Sequence, residues 1–275
     1  GGLFPVGAAL AAISRSAIVI AAKAVRRPAA PTKPSKRHYQ ARPCRVHCRF
    51  LLICYNIHNQ AHVKRKVFML ARQIVVPTPD GLVRDQDPLV LADIMREPVR
   101  VALWDRRSPV GPEVVALACR QRLAIRSWLH ADTLASTLEE LLPDPAYGPL
   151  REDLALLADM TTCLFGVDGV GVRVTALTKP MCPRFHVDRI PVRLLCTYGG
   201  PGSEWLPAPS VPDGLLVPGR PQEGRVDPAD VQRLEPGQVA FFKGENWDDQ
   251  PGKGVVHRSP PVASGGERLL VTLDV

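Results

Sequence analysis

Apolar residues recur at three- and four-residue spacing through Glu113–Leu129, Thr133–Leu142 and Leu150–Phe165. That is the period of a helix with one buried face, and it predicts three helices. After Gly166 the period changes. Val170–Leu177, Val192–Tyr198, Gln238–Phe242, Val255–His257 and Arg268–Val275 are short, apolar and β-rich, and they predict strands. Gly/Pro clusters such as GGPGS, PGRP and SGG separate them. Upstream, Val99–Trp104 predicts another strand, and Asp87-Pro88 opens a helical LVLADIM with proline where a first turn tolerates it. Helices first and strands second indicate α+β. The strands lack helical crossovers, so the expectation is N-terminal helices packed on a C-terminal antiparallel sandwich or open barrel.

Charge divides the chain differently. Residues 1–68 hold 13 of the 35 Lys+Arg and none of the 27 Asp+Glu, which leaves 22 basic and 27 acidic residues, a net −5, for 69–275. The overall +8 therefore belongs to the first quarter, and no nucleic-acid partner is expected for the body. Residues 69–275 are expected to form one domain, with 69–168 mainly helical and 169–275 the β part. Residues 1–68 are expected to be disordered or upstream DNA read in frame, the native chain starting at Met69. Cys44, Cys48, His58 and His62 leave nine residues between the pairs, short of the about 12 of a two-Cys, two-His finger. Seven cysteines without regular spacing suggest reduced thiols and a cytoplasmic protein. No run of 18 apolar residues predicts a membrane span. Oligomeric state is not legible.

The body has three histidines, His130, His186 and His257. His186 and Asp188, two apart, share one face of an extended strand. His257 closes a short apolar strand 69 residues after Asp188, and Arg268 opens the last strand. The order H-x-D … H … R suits an iron site with two ligands from one strand, a third from a facing strand, and open positions for substrate and oxygen. An arginine fork suits a carboxylate. The bland alternatives are an Asp–His hydrogen bond closing a loop, and an ion pair for Arg268. Arg184, Arg189, Arg193 and Arg258 around the motif would recognise an anionic small molecule or form a solvated rim. Tyr198 and Trp247 are further candidate substrate contacts.

On these residues, with Glu235-Pro236-Gly237-Gln238 before VAFF, the region 170–275 resembles the iron(II)/2-oxoglutarate dioxygenases. That resemblance implies a double-stranded β-helix (a cupin-like jelly roll) with iron(II) on His186, Asp188 and His257. It also implies 2-oxoglutarate held by Arg268. The strings LTKPMCPRFHVDRIPVRLLCTYGGPGSEWL, FFKGENW, GVVHRSPP and RLLVTLD are similar to an uncharacterised bacterial family, domain of unknown function 1826. The expected function is an iron(II) oxygenase. The alternatives are a non-catalytic zinc or iron binder in metal homeostasis and a metal-free interaction domain.

Overall fold

The computed structural model describes residues 74–249, 252–263 and 266–275. The expectations for residues 1–68 lie outside them. Ten strands and three α-helices follow in the order β1 (Leu82–Asp85), β2 (Val101–Trp104), α1 (Pro112–Arg120), β3 (Ala124–His130), α2 (Leu134–Leu141) and α3 (Gly148–Phe165). Then come β4 (Gly169–Leu177), β5 (Val192–Gly199), β6 (Glu204–Leu206), β7 (Gln232–Arg233), β8 (Val239–Lys243), β9 (Val256–Arg258) and β10 (Arg268–Asp274). LVLADIM forms a 3-10 helix, Pro88–Met95, whose Asp87 carboxylate accepts from the Leu89 amide.

Seven strands form one sheet in the order β1-β2-β8-β5-β10-β4-β3, and β7-β6-β9 form a second. All neighbours are antiparallel except β1 and β2. The part expected to be mainly helical thus supplies three strands, β1, β2 and β3, to the same sheet as the C-terminal strands.

Strand alternation gives the large sheet two different faces. Val192, Leu194, Cys196 and Tyr198 of β5, with Leu269, Val271 and Leu273 of β10, join the main core against Leu154 and Leu157 of α3. Leu195, Leu270 and Phe242 point the other way and pack with Trp205 of β6 and Val255. The molecule is therefore helices, large sheet, small sheet, and the space between the two sheets is where inward polar residues meet.

One helix expectation fails. The helix expected over Glu113–Leu129 stops at Arg120, and Ala124–His130 is the edge strand β3. Arg122 takes a left-handed φ of 51°. Its amide donates to the Cys119 carbonyl at 3.0 Å and that of Leu123 to Ala118 at 2.9 Å, a Schellman stop without glycine. Beyond it, Ile125, Ser127 and Leu129 alternate with Arg126, Trp128 and His130, which is strand period. At the end of α3 the same stop carries Gly166, φ 61°. Among the described residues, no helix is long and apolar enough to cross a membrane.

Candidate metal centre and its pocket

His186 and His257 exchange both backbone hydrogen bonds, each 2.9 Å, as an isolated antiparallel bridge. The bridge adds the 186 segment to the small sheet beside β9, and the two rings lie 4.5 Å apart. Phe185 and Val187 turn outward into a small cluster with Leu206, Leu215 and Val256, so His186 and Asp188 turn inward. The backbone after Asp188 is held by the KGEN turn. Glu245 donates its amide to the Asp188 carbonyl at 2.8 Å, and Gly244 donates to Pro191 at 2.8 Å. A side chain at Gly244 would stand 2.0 Å from the Ile190 carbonyl, so the turn approaches this closely only because it lacks one.

The ligand atoms of His186, Asp188 and His257 all lie within 4.8 Å of one another. His257 Nε2 is 3.3 Å from Asp188 Oδ2, and His186 Nε2 is 3.8 Å from Asp188 Oδ1. Each imidazole Nδ1 sits 2.9 Å from a carbonyl two residues back, Arg184 for His186 and Val255 for His257. That contact makes Nδ1 the donor and leaves both Nε2 lone pairs aimed at the carboxylate. Asp188 Oδ2 is buried without an aligned donor, although Arg193 Nη1 lies 2.7 Å away. Donors about 2.1 Å from one ion sit roughly 3–3.5 Å apart, so the set fits a small divalent cation after a slight closure.

Electrostatics agree with that fit. Burial, then the charge of His257, pushes the His186 pKa below its ordinary value, which keeps the ring neutral. Burial, the largest effect, would raise Asp188, but the adjoining His257 ring and the Arg193 guanidinium outweigh it and hold the carboxyl low. Arg193 in turn binds Asp274 through Nε at 2.6 Å and Nη2 at 3.0 Å.

Arg268 is fully buried. Its Nη2 donates to Ser203 Oγ at 2.9 Å, Thr197 and Ser259 hydroxyls stand at 3.4 Å, and Nε has no partner. Among the described residues no carboxylate lies within 4 Å of it, and burial pulls its pKa down to about 10, with distant Glu204 opposing. Ser203, Ser259, His186 and His257 line one pocket with Leu195, Leu270 and Thr272 between the two sheets. A second recess, bounded by Cys182, Phe185, Leu216 and Val217, opens beside His186.

The structure brings His186, Asp188 and His257 together and puts Arg268 on the facing sheet. It separates others. Tyr198 alternates to the helix side of β5, where its hydroxyl donates to Asp153 at 2.5 Å. Trp247 packs edge-on to Phe165 in the same core, and neither lines the pocket. Both were expected as substrate contacts, and both belong to the opposite face. Arg258 does line the pocket but is held by Glu204 at 2.7 Å and stacked on Phe185. Arg184 donates to the Arg220 carbonyl, and Arg189 is exposed away from the pocket. Arg173, Ser203 and Thr272 line the pocket without having been singled out in the sequence. The available signal was VGVRVTAL, where Arg173 and Thr175 interrupt an apolar strand on one face.

A family model described as "Protein of unknown function (DUF1826)" matches residues 85–274. No curated protein matches the chain. Among solved structures, the dioxygenase for auxin oxidation 1 of Arabidopsis thaliana, as a 2-oxoglutarate complex, is 12% identical with a TM-score of 0.37. That overlap covers 55% of this chain and 61% of the other, so the chain spans less than two thirds of its length. The rice dioxygenase for auxin oxidation is 12% identical over 82% of this chain and 67% of that one, with a TM-score of 0.34. A Pseudomonas putida prolyl-4-hydroxylase is 16% identical over 62% and 97%, with a TM-score of 0.27. These overlaps are partial, and the functional reading rests on the geometry of the site.

Proposed function

Since the chain belongs to the DUF1826 family of proteins of unknown function, we propose from its own site that it is a mononuclear iron(II) oxygenase using 2-oxoglutarate. The two facing sheets are read as an unequal double-stranded β-helix. His186, Asp188 and His257 would hold the ion, and Arg268 the distal carboxylate of 2-oxoglutarate. One observation carries the reading: Arg268 is a buried guanidinium without a carboxylate, on the sheet that faces three metal-competent side chains. A buried cation left unpaired costs stability, and a ligand carboxylate would relieve that cost.

Iron(II) bound there supplies the redox chemistry, in which dioxygen and 2-oxoglutarate are consumed, succinate and carbon dioxide are released, and one C–H bond of a substrate becomes C–OH. The chain's residues do the positioning. The backbone carbonyls of Arg184 and Val255 hold both imidazoles in the Nε2-free tautomer. Arg193, with Nη1 2.7 Å from Oδ2, stands beside Asp188 as a counter-charge. The hydroxyls of Ser203, Thr197 and Ser259 aim the Arg268 fork. Leu195, Leu270 and Phe242 keep water from the space between.

The test uses the full chain, reconstituted anaerobically with iron(II) and measured for metal content and 2-oxoglutarate binding by calorimetry. One equivalent of iron, lost in His257→Ala, and 2-oxoglutarate binding lost in Arg268→Ala are expected. Zinc in preference to iron, lost in the same variant, would move the function to metal handling. No metal, or undiminished 2-oxoglutarate binding in Arg268→Ala, would sink the proposal.

A further inference from the structure

The arginines around the pocket differ in how fully they are neutralised. Arg258 and Arg233 both bind Glu204, and half-exposed Arg233 carries that trio's excess charge to solvent. Arg193 is saturated by Asp188 and by two hydrogen bonds to Asp274. Arg173 is not. Among the described residues its one acidic neighbour within 4 Å is Asp274, 3.6 Å from Nη2, and that carboxylate is already held in both oxygens by Arg193.

Strand register puts a second unsatisfied group beside it. Thr272 of β10 pairs directly with Arg173 of β4, and the two share the pocket-facing side. Thr272 is 6% exposed as a residue, and its Oγ1 is buried without a partner. A hydroxyl in that condition points to a ligand or a water. The Arg173 side chain is 35% exposed, so the fork can be reached from outside.

We propose that Arg173 and Thr272 form a second anion subsite, beside the metal centre and distinct from the Arg268 anchor, that takes one carboxylate of the molecule to be oxidised. This rests on the oxygenase reading for what the bound molecule undergoes, but not for the binding itself. The two anion points are separate. Arg268 and Thr272 stand four residues apart on one strand face, about 13 Å along the backbone. The backbone of Arg173 is two strands from that of Arg193, roughly 10 Å, and both side chains lean toward Asp274 across β10.

Charge limits the ligand. Arg173, Arg193 and Arg268 against Asp188 and Asp274 give 3 − 2, a net +1. A divalent ion and doubly negative 2-oxoglutarate cancel, so one positive charge remains for a monoanion. A planar fork with one hydroxyl suits a carboxylate, where a dianionic phosphate would ask for more donors.

Propionate is the probe, titrated by calorimetry into the metal-free full chain carrying Arg268→Lys, which removes the deep fork but keeps the net +1 of the pocket. Millimolar binding is expected, weakened at least tenfold by adding Arg173→Gln and about threefold by adding Thr272→Val. Arg173→Lys, which keeps the charge, should bind within about fivefold and guards against a folding artefact. Phosphate should bind more weakly than propionate. In the chain with Arg268 intact, Arg173→Gln should leave 2-oxoglutarate affinity within twofold. Absence of propionate binding, undiminished binding in Arg173→Gln, tighter phosphate binding, or loss of 2-oxoglutarate with Arg173 would each overturn the subsite. If wild-type chain ignores 2-oxoglutarate while propionate still requires Arg173, the oxygenase reading fails and the subsite stands.

Discussion

Two arginines, one fully buried and one mostly so, lie on opposite faces of the large sheet, and they are treated in opposite ways. On the helix side, Arg106 donates from both Nη atoms to the two oxygens of Asp153, each at 2.6 Å, and from Nε to the Gly237 carbonyl at 3.0 Å. Burial works against its charge, but the hydrogen bond and charge of Asp153 more than offset that, and its pKa is raised. On the pocket side, Arg268 has one short hydrogen bond to a hydroxyl and no carboxylate, and burial lowers its pKa to about 10. The same residue type therefore ties α3 to the sheet in one place and lies without a carboxylate partner in the other. A buried charge whose partner comes from the chain is architecture; one without such a partner is what the proposed anchor rests on.

The largest effect that could break this contrast is on the saturated side. Asp153→Ala leaves the mostly buried Arg106 without its carboxylate, and should cost about 3 kcal/mol of folding stability by urea denaturation. A loss below about 1 kcal/mol would mean that the Arg106 pair is not a structural tie.

Arg268→Met should have the opposite sign. It removes an uncompensated buried cation, so stability should rise by about 1–2 kcal/mol, while 2-oxoglutarate affinity falls about 100-fold. Thermal melts and calorimetry on the same preparation check both. Destabilisation together with unchanged affinity would return Arg268 to the structural class.

The smallest effect sharpens the middle case. Lys243 is buried on the helix side, with Nζ donating to the carbonyls of Arg96 at 2.9 Å and Glu97 at 3.4 Å over the Trp247 ring. Burial lowers its pKa from 10.5 to about 8, with Asp248 opposing. Between those values the unfolded chain binds more protons than the folded one, so this contribution to stability increases as pH rises through the window. The gain should reach about 1 kcal/mol by pH 9 relative to pH 7. Lys243→Met should flatten that segment of the pH–stability curve, and an unchanged slope would show that Lys243 does not set it.

Much of the fold was legible because the relevant signals are local. Short apolar, β-rich runs such as VRLLCTY and RLLVTLD marked β5 and β10, and the HxD spacing put His186 and Asp188 on one face. Where local signals conflict, the reading failed. Apolar residues at three- and four-residue spacing ran through the stop at Arg122 and hid β3, because a left-handed non-glycine residue leaves no mark in composition. Strands of two to four residues such as β1, β6 and β7 are too short to show a period.

The sequence by itself determined the candidate ligand set and set His186 and Asp188 on one face of their segment, since side-chain direction along a strand follows from backbone geometry alone. Only the tertiary structure decided which arginines are free. Arg173 meets Thr272, and Arg193 meets Asp274, through pairing between strands about 80 to 100 residues apart. Glu204, a residue without a sequence motif, neutralises Arg258. Charge compensation depends on register and sheet order, and these are set by long-range packing rather than by any local pattern.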